Sequence, residues 1–308
     1  MTRAYLSITI DTECDKGPRW KCEHPIAFSG VTRAIPERLT PLFRMYGAKP
    51  TYLLSPEVMR HEASVETLHA LGAEADLGSH LHGEFAEPDS CEPEETKIFQ
   101  REYPRAVEKA KLTYLTDLFR TTFGRHPRTF RAGRFGIGEN SIDLLTELGY
   151  EVESSVTPNL DWTSAGAPGL AFPNAPTQPY VPSAQEPWKR GNAKLLEVPV
   201  TIRPRLGQRL PFVGKWIEAR WLRPTHGTEE SIVSVARDEI AEARAANPER
   251  PVVLTAMFHN VEVMPGKSPY ARDDAEANGI VKRLAALLAF AKKEGIAVVG
   301  LSEIPGLL

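Results

Sequence analysis

The chain has 308 residues, 42% hydrophobic and 25% charged, with a formal net charge of −3. That is enough to bury a large core, and the charge is too balanced to call for nucleic acid or a membrane surface as partner. Three cysteines, Cys14, Cys22 and Cys91, are an odd set that argues against a disulfide framework and fits a reducing compartment.

The opening "MTRAYLSITIDTE" runs directly into a strand pattern without the basic, apolar and small-residue regions of a signal peptide, and no apolar run is long enough to span a bilayer. A cytoplasmic protein is expected. Cys14, Cys22 and His24 match no common structural zinc spacing.

β-Branched and aromatic runs predict strands at 5–11, 50–55, 75–80, 128–133, 150–156, 195–202, 251–259 and 296–302. Between many of them, apolar residues at three and four spacing predict helices at 34–47, 64–72, 101–124, 139–149, 229–247 and 277–295, several ending on Gly. The basic and aromatic stretch 203–223 reads as an amphipathic helix or loop. Residues 157–194, rich in Pro, Gly, Asn and Ser, carry no periodic run and read as an irregular insertion over one face. "GRFGIG" at 133–138 lacks the glycine spacing of a dinucleotide fingerprint. Alternating strand and helix along the whole length predicts one α/β domain over 1–308, with about seven parallel strands in a barrel.

In such barrels the chemistry gathers where strands end. The first strand ends in Asp11, with Glu13 two residues on and hence on the same side of an extended backbone. The third delivers His80, then His82 and Glu84 within "GSHLHGEF"; the fourth delivers Arg131, then Arg134; the late strand delivers His259 and Asn260. Each residue alone has an ordinary reading as a cap or a core histidine. Together they offer what a catalytic divalent ion takes, imidazoles and a carboxylate, plus a second carboxylate to act as base.

These residues resemble the polysaccharide deacetylase family, the NodB-homology or carbohydrate esterase family 4 group, over nearly the whole chain. "ITIDTE" is similar to its opening aspartate motif, "GSHLHGE" to its histidine motif, "FRAGRFG" to its arginine motif and "MFHNVEVMPGKSPYA" to its late histidine segment. The resemblance implies a distorted (β/α) barrel and hydrolysis of N-acetyl or O-acetyl groups on a saccharide or saccharide precursor, with a divalent metal, zinc before cobalt or nickel. It implies Asp11 as general base, Arg131 as its orienting partner, His259 as general acid and Glu13 and His80 as metal ligands. A wall at Trp162, an oxyanion N–H near Phe135 and substrate contacts from Arg134 and Asn260 complete the expectation.

The chain departs from the family where a second histidine would follow His80 by four positions, because Glu84 stands there. Either His82 or Glu84 then completes the metal set, or the site holds no metal. A metal-free hydrolase of a cyclic amide or ureide and a non-catalytic saccharide-binding protein are the alternative functions.

Overall fold

The computed structural model describes residues 3–22, 24–90, 99–163, 170–172, 174–205 and 219–308. Its main sheet holds β1 (Ala4–Thr12), β2 (Thr51–Leu54), β3 (Asp76–Leu81), β4 (Thr129–Ala132), β5 (Val152–Glu153), β6 (Leu196–Glu197), β9 (Val252–His259) and β10 (Ala297–Val298). All of its pairings are parallel. β1 is central: β9 runs along one edge, while β10 and β2 share the other, lower and upper halves respectively. Beyond β6 the chain reaches β9, where the Thr201 N–H donates to the Thr255 carbonyl at 2.9 Å and curls the sheet toward closure. The alternation predicts such a parallel (β/α) sheet, and its curl fits the NodB-like form that the resemblance implies.

Side-chain alternation along β1 explains where the polar site sits. Leu6, Ile8 and Ile10 face the helix layer and join the main core, whereas Tyr5 joins Val152, Val198, Val253, Leu301 and Ile304 in an apolar plug inside the curl. Moving up β1 on that inner side, Ser7, Thr9 and then Asp11 replace apolar groups. The plug therefore supports a polar floor at the strands' C-terminal end.

Helices Arg105–Phe123, Glu229–Ala246 and Asp274–Lys293 match the expected segments. The first stops at Gly124, whose φ of 66° is the left-handed conformation glycine adopts without strain. Thr228 and Asp273 cap the other two by accepting from Ser231 N–H and Glu276 N–H. Among the described residues no helix is long and apolar enough to cross a membrane.

Some expectations shrink or change. The strands predicted at 150–156, 195–202 and 296–302 contract to two-residue pairings. Of the stretch 203–223, Arg220–Trp221 forms strand β8, antiparallel to β7 (Ile202–Arg203), and not a helix; residues 206–218 lie outside the described residues, as does Cys91. The insertion is tied down at its centre, where Tyr180 and Glu197 exchange backbone bonds of 3.0 and 2.8 Å.

Candidate active site

The parallel register does the first part of the assembly. Asp11 on β1 is level with His259 on β9, and His80 on β3 is level with Arg131 on β4. Asp11, Glu13, His80, His82, Glu84 and Arg131 are all buried. Donor atoms of Glu13, His80 and His82 lie within 4.8 Å of one another, the geometry of a potential metal site.

Glu13 Oε1 is the meeting point, 3.2 Å from His80 Nε2 and 3.0 Å from His82 Nε2. The outer nitrogens fix both rings: His80 Nδ1–H donates to the Arg131 carbonyl (3.0 Å) and His82 Nδ1 faces Glu84 Oε1 (3.3 Å). Glu84, expected as one of two rival ligands, is thus turned to the back of His82. It also accepts from Arg134 at 2.5 and 3.3 Å, so Arg134, expected as a substrate contact, is paired with Glu84. Asn260, expected as a substrate contact, is fully buried; its amide accepts from Glu13 N–H (2.9 Å) and donates to the Glu13 carbonyl (3.0 Å). It aims the Glu13 backbone.

On the other side, Arg131 Nη1 donates to Asp11 Oδ1 at 2.7 Å, while its Nε and Nη2 are held by the carbonyl and hydroxyl of Ser154. Asp11 Oδ2 is 3.9 Å from both His80 Nε2 and His259 Nε2. Burial opposes ionisation of Asp11, but the Arg131 guanidinium, followed by the two histidines, holds its carboxyl below the usual value. Glu13 is also buried, and His82 and Lys16 bring its carboxyl well below the ordinary range.

Sequence reading missed three contributors. Lys16 Nζ lies 2.8 Å from Glu13 Oε2. Glu262 accepts from His259 Nδ1 at 2.7 Å and is itself held by Arg223 (2.5 Å) and the Thr225 hydroxyl. Trp20 lies edge-on to the His259 ring with centroids 4.8 Å apart. Lys16 and Glu262 each stand three residues after a recognised residue, and that spacing was the available signal. Each carboxylate here has one permanent cation: Asp11 with Arg131, Glu13 with Lys16, Glu84 with Arg134, Glu262 with Arg223.

The loop after His82 is fastened from the helix layer, where the buried Lys111 ammonium donates to the carbonyls of Gly83, Ala86 and Pro88 at 2.9, 2.7 and 2.5 Å. Close approach of the arginine turn requires Gly133, since a Cβ there would lie 2.4 Å from the Leu81 carbonyl oxygen. Arg134 and Phe135 follow with φ of 55° each, and this sharp turn brings the Phe135 ring within 5.8 Å of the Arg131 guanidinium. Trp162 stacks on Phe135 at 5.6 Å, and Trp221 meets Trp162 edge-on at 6.1 Å. Beside them a cavity of about 490 Å³ opens, also lined by Arg223.

No family model matches the sequence. No curated protein matches it either. Solved structures match the fold over nearly the whole chain. A protein designated a polysaccharide deacetylase from Mycobacterium smegmatis superposes with a TM-score of 0.56 at 16% identity, covering 99% of this chain and 90% of that one. Puue allantoinase gives 0.58 at 13% identity, with 99% and 89% covered. A GH57-type branching enzyme from Pyrococcus horikoshii gives 0.56 at 10% identity, with 98% and 70% covered. At these identities the likeness establishes the NodB-like fold, which carries differently named activities, so the residues must distinguish the reaction.

Proposed function

We propose that the whole 1–308 chain acts as one metal-dependent hydrolase domain that removes an acetyl group from an N-acetylated or O-acetylated saccharide. The observation that carries this reading is the convergence of Glu13, His80 and His82 beside an Arg131-bound Asp11, with His259 facing Asp11. The donor set fits a metal. With Nδ1–H of His80 spent on a carbonyl, its Nε2 lone pair points at a carboxylate oxygen 3.2 Å away, an arrangement that calls for a proton or a cation between them. Two imidazoles and one carboxylate suit zinc first, and cobalt or nickel next. A divalent ion held by Glu13, His80 and His82 would supply Lewis acidity, polarising an acyl carbonyl and acidifying a water.

The chain's own groups supply proton transfer and positioning. Arg131 occupies Asp11 Oδ1, which leaves Oδ2 as the oxygen that takes a proton from the attacking water. His259 has its Nδ1 committed to Glu262, so Nε2 is the end that hands a proton to the departing amine or alkoxide. Glu262 stabilises the imidazolium, and Arg223 and Thr225 keep Glu262 in place. The backbone N–H at Phe135 serves the developing oxyanion, a donor worth ~3 kcal/mol in such sites. Trp162 and Trp221 offer apolar faces beside the cavity for the sugar ring.

The fold match to an allantoinase favours one rival, hydrolysis of a cyclic amide or ureide without metal. Assays of acetate release from chitin oligosaccharides and acetylated xylan, with allantoin alongside, separate the two. Metal-dependent acetate release that Asp11→Asn abolishes supports the deacetylase. Turnover of allantoin by metal-free protein, with no acetate released from either saccharide, would overturn it.

A further inference from the structure

Behind Glu13 lies a pair of thiols that the proposed hydrolysis does not use. Cys14 directly follows Glu13, and its sulfur is 3.6 Å from that of Cys22, both buried in a small cluster with Phe85 and with Phe28 packed against it. The intervening segment doubles back, with the Lys21 N–H on the Lys16 carbonyl at 2.8 Å and the Trp20 N–H on the Gly17 carbonyl at 3.2 Å. Lys16 Nζ stands 3.6 Å from the Cys22 sulfur and 2.8 Å from Glu13. A disulfide needs sulfurs at ~2.05 Å. These two are in van der Waals contact, on a segment whose ends its own turn already holds together.

We infer that Cys14 and Cys22 form a dithiol modification site that a hydroperoxide oxidises to an intramolecular disulfide. The Cys22 sulfur, beside the Lys16 ammonium, attacks a peroxide oxygen; the O–O bond breaks, one water leaves, and Cys22 carries a sulfenic acid. The Cys14 sulfur then attacks the Cys22 sulfur, the S–O bond breaks, and the hydroxyl leaves as a second water with the thiol proton. Two thiols lose two electrons and two protons, and one hydrogen peroxide becomes two waters. The product staples the 15–21 segment, which carries Lys16 onto Glu13 and Trp20 onto His259. This inference is independent of the acyl chemistry proposed above.

The test is peptide mapping of the reduced full-length protein after hydrogen peroxide treatment, without reductant. Trypsin cuts at Lys16, Arg19 and Lys21, between the two cysteines, so a disulfide appears as one cross-linked pair of peptides. The expected result is that pair, an intact mass lower by ~2 Da, loss of two of the three thiols and full reversal by dithiothreitol. Cys14→Ser and Cys22→Ser should each abolish the link, and Cys91→Ser should retain it. Persistence of both thiols under peroxide that oxidises Cys91, or separate conversion of each to a sulfinic acid with no linked peptide, would overturn the inference. The mapping of the parent protein alone decides, so a variant that fails to fold does not shield the claim.

Discussion

Zinc uptake at neutral pH should displace about one proton from His82. In the metal-free protein burial disfavours a charged ring, but the Glu13 and Glu84 carboxylates raise the His82 pKa to about 9. At pH 7 such a group is ~99% protonated, so Nε2 sheds ~1 proton before it can serve as a metal donor. Between pH 6 and 8 the apparent zinc affinity should rise ~10-fold per pH unit on this account, ~1.4 kcal/mol each, and flatten above pH 9. Calorimetric titrations in buffers of different ionisation enthalpy count the released proton directly. Glu84→Gln removes one of the two carboxylates, so its count at pH 8 should fall from ~0.9 to ~0.4 if the shift is halved. A count near zero for the parent at pH 7, or identical counts for parent and Glu84→Gln at pH 8, would refute the reasoning.

Glu262→Gln leaves the His259 ring without the charge that supports its imidazolium, and should lower kcat by ~10–100-fold in acetate-release kinetics, in line with hydrogen bonds to charged groups worth ~1.5–3 kcal/mol. Lys111→Met strips the donor from three carbonyls of the loop after His82, and should lower thermal stability and weaken metal uptake together, read by Tm and metal titration. Behind Arg131, burial and then the neighbouring Glu153 raise the pKa of Glu197 well above 4.5. The folded protein therefore keeps that proton where the unfolded chain has lost it, and stability falls as pH rises from about 4.5 through the raised value. Glu197→Gln should remove this loss and raise Tm at pH 8 by ~2–4 °C, with a smaller gain at pH 5.

Much of the scaffold was legible because the sheet is buried and its strands end in charge. β1 reads as an inward and outward alternation up to Asp11, and β9 as an apolar run closed by His259; in both cases the polar stop is the functional signal. Helix ends were marked by Gly124 and by caps such as Thr228. The short strands were less visible. β5 and β6 each pair over two residues and owe their position to Glu153, Glu197 and the insertion packed outside them, a tertiary arrangement with no period to read. The rivalry between His82 and Glu84 was equally opaque, since both fall on one short turn. What separates them is Arg134, fifty residues on, which holds Glu84 behind the His82 ring. Asn260 follows His259 directly, yet its amide is spent on the Glu13 backbone across the sheet.

Metal content of the purified protein, measured by elemental analysis beside its His80→Ala and Asp11→Asn variants, tests the central claim most directly. The account predicts one equivalent of zinc, cobalt or nickel in the parent and in Asp11→Asn, none in His80→Ala, and acetate release by the parent alone. No metal in the parent even after reconstitution, or full occupancy in His80→Ala, would contradict it.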